Sequence, residues 1–224
     1  MPGKEKPMRL LVVAAWEPEL ARFRERGGVD GVELVLAALG VGLVESTGAM
    51  TRCVARHSPD AALLIGTAGA LPRRDGELAI GEVVVGSAVR IVDAGILDGR
   101  SALPAPMPAS AQLDEALHGV LVGRGAKSVQ IANTVGITVD DALASQLGAG
   151  DEHVEHLEAF AFARACAAAS LRGAVVLGIA NGVGARGRAE WLANHTRVSG
   201  LAGDLAFDAV EAVAAALRTS TTAR

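Results

Sequence analysis

The stretch Ala61-Ala-Leu-Leu-Ile-Gly-Thr-Ala-Gly-Ala70 decides the fold, because a continuous apolar run is followed by closely spaced glycines. Residues 61–65 have the length and uniform apolar character of a strand that is buried on both faces of a sheet. We expect this strand to end at Ile65 and residues 66–69 to form a glycine-rich loop. In such a loop the backbone N–H groups could approach a ligand and Thr67 would offer a hydroxyl, with an ordinary tight turn as the alternative.

Apolar runs of strand length recur on both sides of this stretch and alternate with amphipathic segments of helical length. Further strands are predicted at residues 10–14, 32–37, 78–88 (with a turn at Gly81), 128–134 and 174–180. Helices are predicted at 17–25, 44–56, 113–122, 139–147, 156–170 and 189–218, the last with an interruption near Ser199-Gly200. Buried strands that alternate with helices are typical of a largely parallel sheet covered on both faces. We therefore predict a single-domain α/β fold, a three-layer α/β/α sandwich with a twisted mixed central sheet. The domain would span residues 9–218, between flexible ends at 1–8 and 219–224.

The composition excludes several classes of protein. The 224 residues include 21 basic and 25 acidic side chains, which gives a net charge of −4, and half of the residues are hydrophobic. A disordered chain would be less hydrophobic and a nucleic-acid-binding protein usually presents a basic face, so we expect neither disorder nor a nucleic-acid partner. Two cysteines, Cys53 and Cys166, are too few for a disulfide scaffold and suit a reducing compartment.

The apolar run at residues 10–16 follows Lys4, Lys6 and Arg9 and so superficially resembles a signal peptide. The run is short and is followed at once by Glu17-Pro-Glu19, which favours a first buried strand instead. No uncharged stretch of the sequence approaches the ~18–20 residues that a membrane-spanning helix needs. The sequence therefore predicts a cytoplasmic protein without membrane association.

Several polar residues follow or flank the predicted strands, and in parallel sheets ligands bind at the carboxyl ends of the strands. Glu17 and Glu19 follow the first strand, where they could also simply favour a helix N-terminus. Asn181 ends the last strand, where an ordinary turn residue is the alternative. Glu158 lies in an apolar helical segment, where a carboxylate is costly unless it is paired or contacts a ligand.

Two patterns that might suggest a cofactor or a metal do not support one. Gly40-Val-Gly42 lacks the third small residue of the dinucleotide-binding fingerprint. His153 and His156, with Glu155 and Glu158 between and after them, do not have the H-E-x-x-H spacing of a zinc site. We therefore expect a protein that uses neither a cofactor nor a metal.

Taken in order, these segments make the chain similar to the nucleoside phosphorylase/nucleosidase superfamily. The resemblance covers almost the whole chain and rests on the segments at 10–20, 40–42, 59–60, 66–70, 78–85 and 157–159 and on the strand that ends at Asn181. It implies a twisted central sheet flanked by helices and cleavage of the N-glycosidic bond of a purine nucleoside. It also implies assembly into homodimers or larger homo-oligomers.

Within that superfamily the chain most resembles two groups of hydrolases, the futalosine hydrolases and the methylthioadenosine/adenosylhomocysteine nucleosidases. Asn133-Thr-Val135, Asn181-x-Val183, Arg186 and Trp191 are most similar to futalosine hydrolase. The methylthioadenosine nucleosidases normally have Met where this chain has Leu157 and Asp where it has Asn181. The second difference removes an acid from the site of the leaving base.

The resemblance also implies roles for individual residues. Glu19 would activate the attacking water, Asn181 would contact the base, and Glu158 would hold the ribose 2′- and 3′-hydroxyls through charged hydrogen bonds. Trp191 would pack against the sugar or its 5′ substituent, with a core tryptophan as the alternative. The implied catalytic residues are thus Glu19 and Asn181, and the implied substrate-binding residues are Thr67, Ala68, Gly69, Val135, Leu157, Glu158 and Trp191.

Two features favour hydrolysis of a 6-oxopurine nucleoside such as futalosine, with release of hypoxanthine. Glu17 and Glu19 would repel phosphate, which a phosphorylase normally binds with Arg and exposed N–H groups, so water is the favoured acceptor. The amide of Asn181 can donate to N7 and O6 of hypoxanthine, whereas a protonated Asp would suit a 6-aminopurine better. The alternatives are a methylthioadenosine/adenosylhomocysteine nucleosidase, a phosphate-dependent purine nucleoside phosphorylase and a nucleoside-binding relative without turnover.

Overall fold

The computed structural model describes residues 7–74, 76 and 78–221, and its centre is an eight-stranded sheet. The strands are β1 (Met8–Ala14), β2 (Val32–Ala38), β3 (Ala61–Ala70), β4 (Val83–Ile91), β5 (Ser110–Gln112), β6 (Lys127–Asn133), β7 (Val154–His156) and β8 (Arg172–Gly182). They follow the order β2-β1-β3-β7-β6-β4-β5, and β8 pairs with both β3 and β4. Parallel pairs join β1 to β2 and β3, β3 to β8, and β6 to β4 and β7, whereas β3–β7, β4–β5 and β4–β8 are antiparallel. The predicted mixed sheet is confirmed.

Five of these strands close into a ring of pairings. β3 pairs with β8, β8 with β4, β4 with β6, β6 with β7, and β7 with β3. Apolar runs along a sequence predict which segments are buried strands but not which strands pair, so the sequence does not predict this closure. The ring brings the ends of β3, β7 and β8 side by side.

Helices cover both faces of the sheet. They are α1 (Ala21–Arg26), α2 (Leu43–His57), α3 (Ala94–Leu97), α4 (Glu115–Val122), α5 (Asp141–Leu147), α6 (Ala159–Ala168), α7 (Gly187–Asp208) and α8 (Val210–Thr221), with a 3-10 turn at Glu17–Leu20 before α1. Along β1, Leu11 and Val13 pack into the core that α2 and α6 cover, whereas Leu10 and Val12 pack into the core covered by α1, α4, α7 and α8. This alternation produces the predicted three layers. None of the helices in the described part of the chain is long and apolar enough to cross a bilayer.

The central strand β3 is longer than predicted. It continues to Ala70, so residues 66–69 belong to the strand and the predicted loop is wrong. The extension still pairs with β8, with a shift of register between Ala68 and Gly69. A Cβ on Gly69 would come within 3.0 Å of Nδ2 of Asn181, so this glycine permits a close approach between neighbouring strands. The glycine pattern signals tight packing here and not a turn.

The helix predicted at residues 156–170 begins later, at Ala159, because His156 belongs to β7. That short strand pairs with β6, and Asn133 is the partner of His156 in the register. Glu158 is therefore the N-cap residue of α6 and does not lie within the helix. Apolar residues continue from the strand into the helix, so their pattern does not mark the boundary.

Other boundaries also differ from prediction. The predicted turn at Gly81, which has a φ of +101°, is confirmed, and β4 begins only after it, at Val83 and not at residue 78. The segment predicted as one helix at 17–25 divides into the 3-10 turn and α1. α7 runs unbroken through Ser199-Gly200, and the interruption lies at Ala209 instead. The short elements α3, β5 and β7 are absent from the sequence prediction because they are too short to show a period.

The predicted flexible ends overlap only partly with the described residues. β1 already begins at Met8, and α8 continues to Thr221. Residues 1–6 and 222–224 lie outside the described residues. The flexibility assigned to both ends and the domain limits at 9 and 218 stay predictions.

Candidate active site

A cavity of about 400 Å³ opens where the carboxyl ends of β1, β3 and β8 meet the β7–α6 junction and the start of α7. Of the predicted site residues, Glu19, Thr67, Ala68, Gly69, Leu157, Glu158, Asn181 and Trp191 line this cavity. Val135 does not line it, since its side chain lies on the surface with 75% exposure. The remaining lining residues are Ala15, Trp16, Val41, Ile137, Thr138, Val139, Glu155, His156, Gly187 and Arg188.

Glu19 enters the cavity from the 3-10 turn that follows β1, and its side chain is buried, with 8% exposure. One carboxylate oxygen, Oε2, accepts the backbone N–H of Trp16 at 3.2 Å, and Oε1 accepts the hydroxyl of Thr67 at 3.2 Å. Burial raises the pKa of Glu19 to about 7, against the lowering effect of these two hydrogen bonds, and the nearby Glu158 adds to the rise. A carboxylate with such a pKa can exchange a proton with water near neutral pH.

A tryptophan contacts Glu19 indirectly, through Thr67. The indole Nε1 of Trp191 on α7 donates to Oγ1 of Thr67 at 3.1 Å, and the same hydroxyl donates to Glu19. The Trp191 ring stacks on His195 with 4.2 Å between ring centroids, and the ring of Trp16, which also lines the cavity, has its centroid 6.2 Å from that of Trp191. Trp191 is therefore only partly buried, so it is not a core residue, and its ring is held by a hydrogen bond and by stacking.

Glu158 enters the cavity from the N-cap of α6 and is 4% exposed. Its Oε1 accepts the backbone N–H of Gly42 at 2.7 Å, and its Oε2 lies 3.3 Å from Nδ1 of His156. The N-terminus of a helix favours a negative charge, so the position itself stabilises a carboxylate. Gly42, part of the Gly40-Val-Gly42 pattern, thus uses its backbone N–H to hold a carboxylate of the same chain.

His156 is a site residue to which sequence reasoning gave no role beyond the excluded zinc site. Its Nδ1 accepts the backbone N–H groups of Glu158 and Ala159, both at 3.1 Å, which leaves the proton of a neutral ring on Nε2. Burial lowers the pKa of His156, although the neighbouring Glu158 acts in the opposite direction. The ring is therefore neutral and offers the cavity an N–H donor. Its position directly before the Leu157-Glu158 pair is the signal that could have indicated it.

Glu155, a further buried residue, holds one wall of the cavity in place. Glu155 accepts the hydroxyl of Thr134 at 3.2 Å, and the hydroxyl and N–H of Thr138 at 2.6 and 3.2 Å, so it anchors the loop that carries Ile137 and Val139. Each of these contacts spans 17 or more residues of sequence, which is why no local pattern predicts them.

Asn133 acts in a similar way at the end of β6. Its Nδ2 donates to the carbonyls of Thr134 and Leu157, both at 3.1 Å, and its Oδ1 accepts the N–H of Phe160 at 2.8 Å. The side chain thereby fixes the β7–α6 junction on which Glu158 stands. Sequence reasoning noticed Asn133 only as part of a resemblance.

Asn181 lines the cavity at the end of β8, opposite the glycines that make room for it. One N–H of its Nδ2 donates to the carbonyl of Gly182 at 2.8 Å. A Cβ on Gly69 or Gly187 would come within 3.0 or 3.1 Å of that nitrogen, so the amide sits in a slot between two glycines. The second N–H and Oδ1 make no hydrogen bond to a described residue.

The electrostatics of the cavity favour a neutral or cationic ligand group at its centre. Glu19, Glu155 and Glu158 are all buried against it. Among the lining residues that the structure describes, Arg188 carries the only positive charge, and its side chain is exposed. No group of three or more metal-binding side chains is present within residues 7–74, 76 and 78–221.

The sequence matches the family model of the phosphorylase superfamily over residues 13–215. The chain belongs to the phosphorylase superfamily. Its match begins inside β1 and ends inside α8, so it covers every element that supplies a residue to the cavity.

Members of the phosphorylase superfamily that are similar to this chain are nucleosidases. Futalosine hydrolase of Thermus thermophilus is 33% identical over 192 residues, which cover 78% of this chain and 81% of that protein. A 5′-methylthioadenosine/S-adenosylhomocysteine nucleosidase of Maridesulfovibrio salexigens is 34% identical over 122 residues, 52% of each chain. The structure of a futalosine hydrolase mutant of Helicobacter pylori superposes with a TM-score of 0.82 over 91% of this chain and 99% of that chain, and at 16% identity this likeness shows the shared fold.

Proposed function

We propose that this chain is a nucleosidase that hydrolyses the N-glycosidic bond of futalosine and releases hypoxanthine. The observation that carries the proposal is the pair of buried carboxylates, Glu19 and Glu158, which reach one cavity from different elements. The similarity to a futalosine hydrolase over most of the chain supports the same reaction and substrate.

Glu158 is proposed to bind the ribose. Its Oε1 is held by the N–H of Gly42 at 2.7 Å, so the carboxylate is oriented before substrate arrives. An ionised carboxylate accepts strong hydrogen bonds from the 2′- and 3′-hydroxyls, and these can grow stronger as positive charge develops on the sugar. Leu157, in the same wall of the cavity, supplies apolar contact beside it.

Glu19 is proposed to activate water. In its ionised form it takes a proton from the water as the water oxygen bonds to C1′ of the ribose. The bond between C1′ and N9 breaks, and its electron pair leaves with the base, which gains a proton from solvent. A pKa of about 7 suits a general base that works near neutral pH.

Asn181 is proposed to contact the departing base. The N–H that is not bonded to Gly182 can donate to N7 or O6 of hypoxanthine. Such a hydrogen bond stabilises the electron density that the base gains as it leaves. An amide cannot supply a proton, so this residue stabilises the leaving group without protonating it.

Water is the proposed acceptor because the cavity lacks a built anion site among its described residues. A phosphate dianion would face the buried Glu19 and Glu158, and the lining cation Arg188 is exposed. Two carboxylates near the nucleophile site would repel phosphate and leave uncharged water as the favoured nucleophile.

The proposal is tested with futalosine, 5′-methylthioadenosine, S-adenosylhomocysteine and inosine, each with and without phosphate, by chromatography of the free base and the sugar product. We expect hypoxanthine from futalosine at the same rate with and without phosphate, and free sugar as the second product. Glu19→Gln protein purified in the same way controls for contaminating nucleosidases.

Other outcomes would assign a different function. Turnover only with phosphate, and a sugar 1-phosphate as product, would make the chain a phosphorylase. Faster release of adenine from 5′-methylthioadenosine than of hypoxanthine from futalosine would assign the other nucleosidase activity. Saturable nucleoside binding without any release of base would make it a binding protein.

We further propose that the chain works in the cytoplasm as a homodimer or larger homo-oligomer. Exposed apolar side chains at and near the cavity mouth, those of Val41, Val44, Ile137 and Val139, support burial against another subunit. The unpaired Cys53 and Cys166 support a reducing compartment. Light scattering at micromolar concentration should give at least twice the mass of one chain, and a monomer would contradict the assembly.

A further inference from the structure

The hydroxyl of Thr67 lies between an indole and a carboxylate. Nε1 of Trp191 is 3.1 Å from Oγ1 of Thr67, and that oxygen is 3.2 Å from Oε1 of Glu19. An indole N–H can only donate, so Thr67 must accept from Trp191. An ionised carboxylate can only accept, so the single proton of the hydroxyl is directed to Glu19.

We propose that Trp191 is a positioning residue for catalysis, whose indole N–H orients the Thr67 hydroxyl toward Glu19 and so holds the carboxylate in place to activate water. This inference rests on the proposed function, because it assumes that Glu19 is the base. It assigns to Trp191 a task beyond contact with the sugar or its 5′ substituent.

The surroundings of Trp191 fix its ring in this geometry. His195, one helical turn further along α7, stacks on it with 4.2 Å between centroids and an interplanar angle of 16°. Helix α7 also packs directly on β3, the strand that carries Thr67. The indole donor and the hydroxyl that accepts from it therefore lie on two elements that pack directly against each other.

The other groups near Glu19 do not replace this hydrogen bond. The titratable and charged side chains that line the cavity around it are Glu155, His156, Glu158 and Arg188. Glu158 raises the pKa of Glu19, His156 is neutral, and Glu155 is already bonded by Thr134 and Thr138. Arg188 is exposed and makes no ion pair with a described residue. The ionised form of Glu19 is therefore stabilised by the Thr67 hydroxyl and by the backbone N–H groups of Trp16 and Thr67, and of these only the hydroxyl is oriented by Trp191.

Trp191→Phe tests the inference, because it keeps a six-membered aromatic ring and removes the indole donor together with the five-membered ring that carries it. We expect kcat to fall about fivefold to twentyfold, with KM changed less than about twofold. The reason is that the substitution affects the general base Glu19 and not substrate binding. The acid limb of the pH profile of kcat/KM should move to higher pH by about half a unit, because a less ordered hydroxyl stabilises the ionised carboxylate less.

Two further variants make the test specific. Thr67→Val should show the same shift of the acid limb. Adding Trp191→Phe to Thr67→Val should change kcat by no more than about twofold and leave the limb in place, because the hydroxyl that links Trp191 to Glu19 is already absent. Leu192→Ala changes an exposed neighbour of Trp191 on α7 that does not line the cavity, and it should leave the acid limb where it is.

The outcomes separate this inference from the proposed function. A Trp191→Phe protein with raised KM, normal kcat and an unmoved acid limb would overturn the positioning role and leave a residue that only contacts substrate. Independent, additive losses in the double variant would also overturn it. Absence of nucleoside hydrolysis by the unaltered protein would instead overturn the proposed function itself.

Discussion

Glu19 and Glu158 reach the same cavity, but their neighbours differ. Glu19 comes from a short 3-10 turn, accepts one N–H and one hydroxyl at 3.2 Å, and has its pKa raised by burial to about 7. Glu158 stands at the N-cap of α6 and accepts the N–H of Gly42 at 2.7 Å. The helix N-terminus at Glu158 favours a negative charge, whereas burial raises the pKa of Glu19 despite its hydrogen bonds. Identical side chains are thereby suited to different tasks.

The largest expected effect is that of removing the carboxylate of Glu19, the proposed general base. Glu19→Gln should lower kcat about 10³-fold, because it removes the general base, while the affinity for hypoxanthine stays within a few-fold. Single-turnover kinetics and product binding would measure the two quantities.

The matched control for this variant is Glu17→Gln. Glu17 is half exposed and forms an ion pair with Arg24 on the surface, so its loss should leave kcat within about twofold. If instead Glu17→Gln loses activity and Glu19→Gln keeps kcat within a few-fold, the base is Glu17 and the comparison of the two buried carboxylates fails.

A binding role for Glu158 predicts a smaller loss of a different kind. Glu158→Gln should lower kcat/KM about 10²-fold or more, equivalent to ~3 kcal/mol of charged hydrogen bonding to the ribose diol. The loss should shrink for a 2′,3′-dideoxy substrate, which cannot make these bonds. Circular dichroism checks that the variant is folded, and near-normal turnover by a folded variant would restrict Glu158 to a structural role.

Base recognition at Asn181 should be independent of both carboxylates. Asn181→Asp should shift the ratio of kcat/KM for a 6-oxopurine and a 6-aminopurine nucleoside by roughly 10- to 100-fold toward the amino form, since a mismatched buried hydrogen bond costs about 1–3 kcal/mol. The pair inosine and adenosine differs only at position 6 and measures this ratio. An unchanged ratio would mean that Asn181 does not read the base.

The smallest effect tests whether the two carboxylates interact. Because Glu19 must be ionised to act as a base, kcat/KM should fall as the pH drops below about 7. Glu158 raises the pKa of Glu19, so Glu158→Gln should move this acid limb to lower pH, by less than about one unit. The measurement is the pH profile of kcat/KM for both proteins, and a limb that moves to higher pH would show that the charges are not coupled in this way.

Several parts of the candidate site follow from local sequence. Glu19 follows a buried strand, Thr67 lies among glycines and Asn181 ends the last strand, and all three line the cavity. Strand ends in a parallel sheet meet at one edge, which explains why this reasoning works. Val135 also follows a predicted strand, at residues 128–134, but it lies on the surface outside the cavity, so a place at a strand end does not by itself bring a residue into the site.

Other parts could not be predicted, because they depend on contacts between distant segments. The pairing of Gly42 with Glu158 spans 116 residues, and that of Thr67 with Trp191 spans 124. Asn133 and Glu155 support the cavity walls through side-chain bonds that leave no periodic trace in the sequence.

The amino-acid sequence by itself determined the α/β class, the buried strands and the candidates at the strand ends, because apolar periodicity and the residues that follow an apolar run are local properties of a chain. Only the tertiary structure decided that β3 runs through its glycines, that five strands close into a ring, and that α6 begins after Glu158. It also decided which carboxylate is suited to be a base, because burial and hydrogen-bond donors set a pKa and both depend on the folded neighbourhood.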